Sequence, residues 1–170
     1  EGLADLGRAG IAGIEVTTLT RIAERLAAPL LAPRRPTNGP VLVAAWRAAL
    51  DREPGAFAEV AGHAATARAL ADAYRELRDI SGDALDRIAA ASRMTADVIR
   101  LFRQVRAGLE PGWYDERDLL DTAADHLRSH PETRPVVLHL PIDLTAAESR
   151  FVDSLAAGTE VTIVAGTTHV

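Results

Sequence analysis

The sequence contains no lysine and no cysteine, and each absence excludes a class of chemistry. Without lysine, the phosphate-binding loop G-x-x-x-x-G-K-[ST] of nucleotide-driven motors cannot occur in the chain. Without cysteine, disulfides, thiolate zinc sites and cysteine nucleophiles are excluded as well. The lack of cysteine fits a reducing compartment, and we expect a cytoplasmic protein.

Aromatic residues are also scarce, and basic residues are fewer than acidic ones. Only seven of the 170 residues are aromatic, so we expect a core of alanine, leucine, valine and isoleucine, which favours closely packed helices. The net charge is -5, with 19 arginines against 24 acidic residues. A free-standing nucleic-acid binder usually carries a basic excess, because neutralising phosphates supplies most of its non-specific affinity. The chain as a whole lacks that excess.

Long apolar runs are missing too. No run approaches the roughly 20 residues of a membrane span, and no basic segment followed by a short apolar stretch marks a signal peptide. We therefore expect no membrane partner. The abrupt start at Glu1 and the stop at Val170, just after a predicted strand, indicate a piece of a larger protein.

The spacing of apolar residues predicts an α/β fold with a large helical insertion. Short runs rich in β-branched residues favour three strands, at 14–18, 135–139 and 160–164. Residues 19–31 have helical spacing, and the block 41–130 is almost entirely helical. Short apolar strands joined through helices favour one parallel sheet. We predict an α/β base from residues 1–38 and 133–170, with an inserted helical subdomain from residues 39–132.

The segment 136–148 is the most informative part of the chain, and it predicts a buried strand, a sharp turn and a helix. Thr145 and Glu148 match the S/T-x-x-E capping box that begins a helix. Asp143 could instead coordinate a metal, but His139 and Leu140 supply no partner acids, and magnesium prefers several oxygen ligands. We therefore predict a cap and no metal site.

Other polar residues also have a structural interpretation beside a functional one. His126 and His130 are four residues apart, but no nearby acid or cysteine completes a metal site, so we interpret them as solvated positions near a helix end. Asp115 is predicted to be an N-cap. Thr18 and Thr20 are candidates for contacting a phosphate at a helix N-terminus; the alternative is that they only cap the helix.

With these residues in view, the chain resembles the first RecA-like domain of UvrD-like superfamily 1 helicases. It resembles most the degenerate modules of AddB-type helicase-nuclease subunits. Residues 16–26 are similar to the family's Gly-Thr-Phe-His motif and the helix after it, with Thr18 on the Thr and Thr20 on the His. The resemblance implies a partial RecA-like parallel sheet of about three strands. It also implies that Thr18 and Thr20, with Arg21 nearby, approach the backbone of single-stranded DNA.

Residues 137–145 resemble the Walker B segment of the same family. His139 and Leu140 stand where the family has its catalytic Asp-Glu pair, and only the later acid, Asp143, remains. Thr167 likewise replaces an Asp of the next strand. Because that acid pair holds magnesium and polarises the attacking water, the resemblance implies a degenerate Walker B region with no catalytic residue, no metal and no cofactor.

Together these features predict a fragment of a helicase-like protein of bacterial DNA repair or recombination. The fragment would be a non-hydrolysing structural or DNA-scanning module, with single-stranded DNA and a helicase-nuclease partner subunit as its partners. The alternative is a helical protein-protein interaction module that does not bind nucleic acid. A basic groove along the first predicted strand and its helix would favour DNA, and an exposed apolar patch would favour protein partners.

Overall fold

A computed structural model describes residues 13–132, 134–139 and 143–166 of the chain. Within these ranges the structure has seven α-helices and four short strands. In chain order they are α1 (Leu19–Leu31), β1 (Arg35–Pro36), α2 (Gly39–Arg52), α3 (Ala64–Asp79), α4 (Gly82–Ala91), α5 (Arg93–Leu109), β2 (Trp113–Tyr114), α6 (Glu116–Ser129), β3 (Val136–His139), α7 (Ala146–Ala156) and β4 (Val161–Val164). A 3-10 turn, Gly55–Phe57, follows α2.

Short polar side chains determine where most of the helices begin. Thr18, Asn38 and Ser81 each accept a hydrogen bond from a backbone amide in the first turn of α1, α2 and α4. Reciprocal capping boxes begin the other three capped helices, at Ser92, Asp115 and Thr145. Such caps satisfy amides that have no partner inside the helix. The predicted caps at Asp115 and Thr145 are confirmed.

The first hydrophobic core joins α2, α3, α4 and α5. Trp46 and Leu50 of α2 and Leu101 and Phe102 of α5 have at most 1% of their surface exposed, and Tyr74 of α3 packs against Phe102 with ring centroids 5.5 Å apart. Leu101, Phe102 and Val105 of α5 lie on the face of the helix that packs against this core. These four helices therefore pack around one core, and we call them the insertion lobe.

The second core joins α1, α6 and α7, which we call the base lobe. Ala23 and Ala27 of α1 and Ala123 of α6 are fully buried, and such small side chains allow two helices to approach closely. Phe151 and Leu155 of α7 are also fully buried. The observed packing therefore places α2, α3, α4 and α5 in one lobe and α1, α6 and α7 in the other. The boundaries predicted for an inserted subdomain, at residues 39 and 132, stay a prediction.

The predicted fold class is wrong for the described residues. The structure is mostly helical and has two separate two-stranded parallel sheets, with no RecA-like sheet of three strands. In one sheet β1 pairs with β2, aligning Arg35 with Trp113. In the other β3 pairs with β4, aligning Val136 with Val161. The strands near 135–139 and 160–164, and their parallel pairing, agree with the prediction.

The predicted strand at 14–18 is not formed. Residues 14–18 have no regular hydrogen bonding, and Ile14 and Val16 are 67% and 94% exposed. A strand needs a neighbour that satisfies its backbone groups and covers one face, and no described residue pairs with this segment. Glu15 instead forms ion pairs with Arg25 and Arg134. Alternation of apolar residues alone was not enough to form a strand.

The β3–β4 sheet covers the base lobe with one face only. Leu138 is 9% exposed, and Val161 packs against the second core. The other face is open, with Val137 64% and Val164 41% exposed.

Among the helices described, none combines the length and the hydrophobicity that crossing a bilayer requires.

Candidate functional site: the cleft between the lobes

The two lobes meet at a cluster of charged side chains around Arg78 at the end of α3. Nε and Nη2 of Arg78 donate hydrogen bonds to the two carboxylate oxygens of Asp115, and Nη2 also donates to Asp118 at 2.6 Å. The side chain of Arg78 is only 7% exposed. A buried guanidinium is stable only when its hydrogen bonds are satisfied by opposite charge, so these two acids hold α3 against the start of α6.

A second arginine joins the cluster from the segment between α1 and β1. Arg34 Nη2 donates to Asp118 at 2.9 Å, and Arg34 Nε donates to the backbone carbonyl of Trp113 at 2.9 Å. Arg117 Nη1 donates to the backbone carbonyl of Arg78. The acids of the α6 capping box therefore have two functions: they begin the helix and they neutralise arginines from other parts of the chain.

The charged cluster around Arg78 shifts the pKa values of three side chains. Burial raises the pKa of the Tyr74 phenol, and the charge of Asp115, whose Oδ2 lies 3.2 Å from the hydroxyl, raises it further. Burial alone would lower the pKa of Arg78 and raise that of Asp115. The hydrogen bonds and charges between them outweigh burial, so the pKa of Arg78 is raised and that of Asp115 is lowered. The pair stays ionised at neutral pH.

Beside this cluster lies a cavity of about 750 Å³, which we call the interlobe cleft. The beginning of α2 and one face of α3 form its insertion-lobe side, and the beginnings of α6 and α7 form its base-lobe side. Its apolar lining includes Leu42, Val43 and Leu120. A cavity where two structural units meet is a common place for a ligand to bind.

The lining of the interlobe cleft is acidic. Six carboxylates line it against three guanidinium groups, an excess of three negative charges. The acids are Asp72, Glu76, Asp79, Asp115, Glu116 and Glu148, and the arginines are Arg75, Arg78 and Arg117. Negative potential of this kind attracts cations and repels phosphates.

The residues predicted to approach DNA do not form a basic groove among the described residues. The Oγ1 of Thr18 accepts a hydrogen bond from the amide of Arg21 at 3.3 Å, so Thr18 is the N-cap of α1. Thr20 Oγ1 donates to Glu116 Oε1 at 2.8 Å. Arg21 is exposed. Arg25 is paired with Glu15, with Glu132 within 3.9 Å. Thr20 therefore faces a carboxylate where a phosphate would have to lie.

The described part of the segment that resembles Walker B contains no cluster of acids. His139 ends β3 and is exposed, while Leu140 lies outside the described residues. Asp143 is exposed and has a positive φ of 51°, which suits a tight turn before α7. No group of three or more metal-binding side chains occurs in the ranges that the structure describes. The rings of His126 and His130 stack 4.4 Å apart at the end of α6.

Neither the charged cluster nor the interlobe cleft was predicted from the sequence. Leu70, Tyr74 and Arg78 are four residues apart on α3 and lie on its buried face. An arginine on an otherwise apolar face is the signal that was available, because such a cation requires a buried acid. The sequence could not indicate that Asp115 and Asp118 provide it.

Comparisons with protein-family models, curated proteins and solved structures found no match for this chain.

Proposed function

We propose that this chain is a non-hydrolysing structural module of a helicase-like protein of DNA repair or recombination. The observation that carries the proposal is the parallel unit formed by β3, α7 and β4, in the segment that resembles Walker B. A motor needs an acid pair at the end of such a strand. In this unit β3 ends at His139, and Asp143 is the one acidic residue in the sequence between β3 and α7.

Between the structural and the DNA-scanning versions of this function, the contacts favour the structural one. Thr20 is hydrogen-bonded to Glu116, and Arg25 is ion-paired to Glu15. A strand's phosphates would have to displace these acids, at a cost in electrostatic energy. Any contact with single-stranded DNA would then be made chiefly through other parts of the full-length protein.

The biochemical test measures ATP turnover and DNA binding by the purified chain. We expect no magnesium-dependent ATP hydrolysis and no saturable binding of labelled single-stranded DNA, even at low salt. The matched variants are Thr18→Ala/Thr20→Ala and Glu116→Gln, which remove the candidate DNA contacts and the competing acid. Binding by wild type that the threonine variant loses would restore the DNA-scanning function, and ATP turnover would contradict the proposal.

The genetic test asks whether the protein is needed for survival after DNA damage, and whether that need depends on the side chain at the end of β3. Disrupting the reading frame in the source organism should reduce survival after DNA double-strand breaks. A His139→Ala copy should restore survival, because no catalytic role depends on that side chain. A copy carrying the destabilising change Arg78→Met should not. Unchanged survival after the disruption, or failure of the His139→Ala copy, would contradict the proposal.

A second candidate function is a helical protein-protein interaction module without nucleic-acid binding. The acidic lining of the interlobe cleft favours it, because an excess of three negative charges suits a basic protein segment and not a nucleic acid. Normal survival after DNA damage, together with no DNA binding, would leave this function in place of the first.

A further inference from the structure

We infer that the interlobe cleft binds a basic segment of a partner protein, with an arginine side chain lying between α3 and α6. The inference goes beyond the proposed function and holds whether or not the chain belongs to a helicase-like protein. It rests on the charge of the cleft, on which of its acids are already neutralised, and on the shape of its lining.

Four of the six lining acids already have partners. Asp115 is paired with Arg78, Asp79 lies 3.5 Å from Arg117, and Glu148 Oε2 accepts the amide of Thr145 at 2.8 Å. Glu116 accepts a hydrogen bond from the Thr20 hydroxyl, and Arg75 Nη2 lies 3.9 Å from Glu116 Oε2. The two remaining acids, Asp72 and Glu76, have no hydrogen bond or ion pair to any described residue. They therefore carry the negative charge that is available to a ligand.

Asp72 and Glu76 also lie close to each other on α3. They are four residues apart on α3, so their carboxylates are neighbours on one face of the helix. Like charges at this spacing destabilise a helix. A cation placed between them would remove the repulsion, and a guanidinium can donate to two carboxylates at once.

The apolar lining fits the rest of an arginine side chain. Leu42 and Val43 of α2 lie on the same side of the cleft as Asp72 and Glu76, and Leu120 lies opposite. The aliphatic part of an arginine packs on such surfaces while its charged end reaches polar groups. A phosphate or a carboxylate would find neither the charge nor these surfaces.

The test uses the full chain and a fluorescein-labelled peptide of six arginines, with binding followed by fluorescence anisotropy at low and at physiological salt. The variant Asp72→Asn/Glu76→Gln removes two exposed charges from the cleft. The matched control, Asp51→Asn/Glu59→Gln, removes two exposed charges that do not line it. We expect the cleft variant to bind at least about tenfold more weakly than wild type, and the control to bind within about twofold of it.

Thermal unfolding of the variants gives a second readout that does not depend on the peptide. Because the repulsion between Asp72 and Glu76 is removed, the cleft variant should unfold at the same temperature as wild type or slightly above it, so a loss of binding cannot be attributed to unfolding. Equal weakening by both variants would show non-specific attraction and overturn the inference, as would no binding by wild type. Tighter binding of spermidine than of the peptide, lost in the cleft variant, would also overturn it in favour of a free polyamine.

Discussion

Arg78 and Asp115 form a two-point ion pair between the last turn of α3 and the N-cap of α6, and this pair joins the two lobes. Replacing Arg78 by methionine removes the cation and leaves Asp115 buried with only the Tyr74 hydroxyl and its own helix as partners. Removing one partner of a buried pair costs about 3–5 kcal/mol. We expect Arg78→Met to lower the free energy of unfolding by that amount in urea denaturation.

The control for this prediction is an exposed pair of similar length. Arg103 Nη2 lies 2.6 Å from Asp86, with the two side chains 50% and 66% exposed. Water and salt screen such pairs, which contribute about 0–1 kcal/mol, so Arg103→Met should cost no more than that. Equal effects of the two substitutions would mean that the Arg78 pair has no special role in joining the lobes.

Acid should weaken the same contact, with a sign fixed by the lowered pKa of Asp115. The unfolded chain binds its proton near pH 3.9, and the folded protein binds it at a lower pH. The stabilisation is therefore complete above about pH 5 and is lost as the pH falls through the folded pKa. Urea midpoints from pH 7 to pH 2.5 should fall less steeply for Asp115→Asn than for wild type, and parallel curves would contradict this assignment.

Gly55 should resist substitution because of its backbone and its surroundings. Its φ is +57°, and a Cβ there would lie 2.5 Å from the carboxylate of Asp97, which accepts the amide of Ala56. The left-handed conformation costs a non-glycine residue about 1–2 kcal/mol, and disturbing the hydrogen bond adds about 1 kcal/mol. Gly55→Ala should thus lower the free energy of unfolding by about 2–3 kcal/mol. Gly62→Ala, with no atom within 4 Å of the new Cβ, should cost under about 1 kcal/mol, and a Gly55→Ala protein as stable as this control would refute the argument.

The capping box of α7 gives a smaller and more local prediction. Thr145 Oγ1 accepts a hydrogen bond from the amide of Glu148, and Glu148 Oε2 accepts one from the amide of Thr145. Thr145→Ala should cost about 1 kcal/mol, measured by chemical denaturation. Among the described residues, the Ser154 hydroxyl bonds only to a carbonyl inside the same helix, so Ser154→Ala should leave stability within about 0.5 kcal/mol of wild type. A larger loss at Ser154 than at Thr145 would contradict the assigned cap.

The fold class was not predicted correctly, but several individual helices and strands were, because their signals are local. The caps at Thr18, Asp115 and Thr145 and the apolar stripes between them determine where α1, α6 and α7 begin. The pairing of β3 with β4 followed from two β-branched runs on either side of a helix. These signals lie within one turn or one strand, so no knowledge of distant residues was needed.

The parts that failed depend on residues far apart in the chain. Residues 14–18 have the composition of a strand, but no described segment pairs with them. The strands β1 and β2 have two residues each, too short to show alternation. Arg78 and Asp115 are 37 residues apart, so their contact and the cleft beside it appear only after the lobes have packed. The resemblance to helicases suggested a role for Thr20 but could not indicate that Glu116 accepts its hydrogen bond.

The short β1–β2 ladder brings the two ends of the insertion lobe together. The amide of Arg35 donates to the carbonyl of Gly112, and the amide of Thr37 donates to that of Tyr114. The chain thus leaves the base lobe and returns to it across one pair of strands, about 5 Å apart. A loop of a few residues could span that gap, so the spacing between α1 and α6 does not depend on the number of residues between β1 and β2.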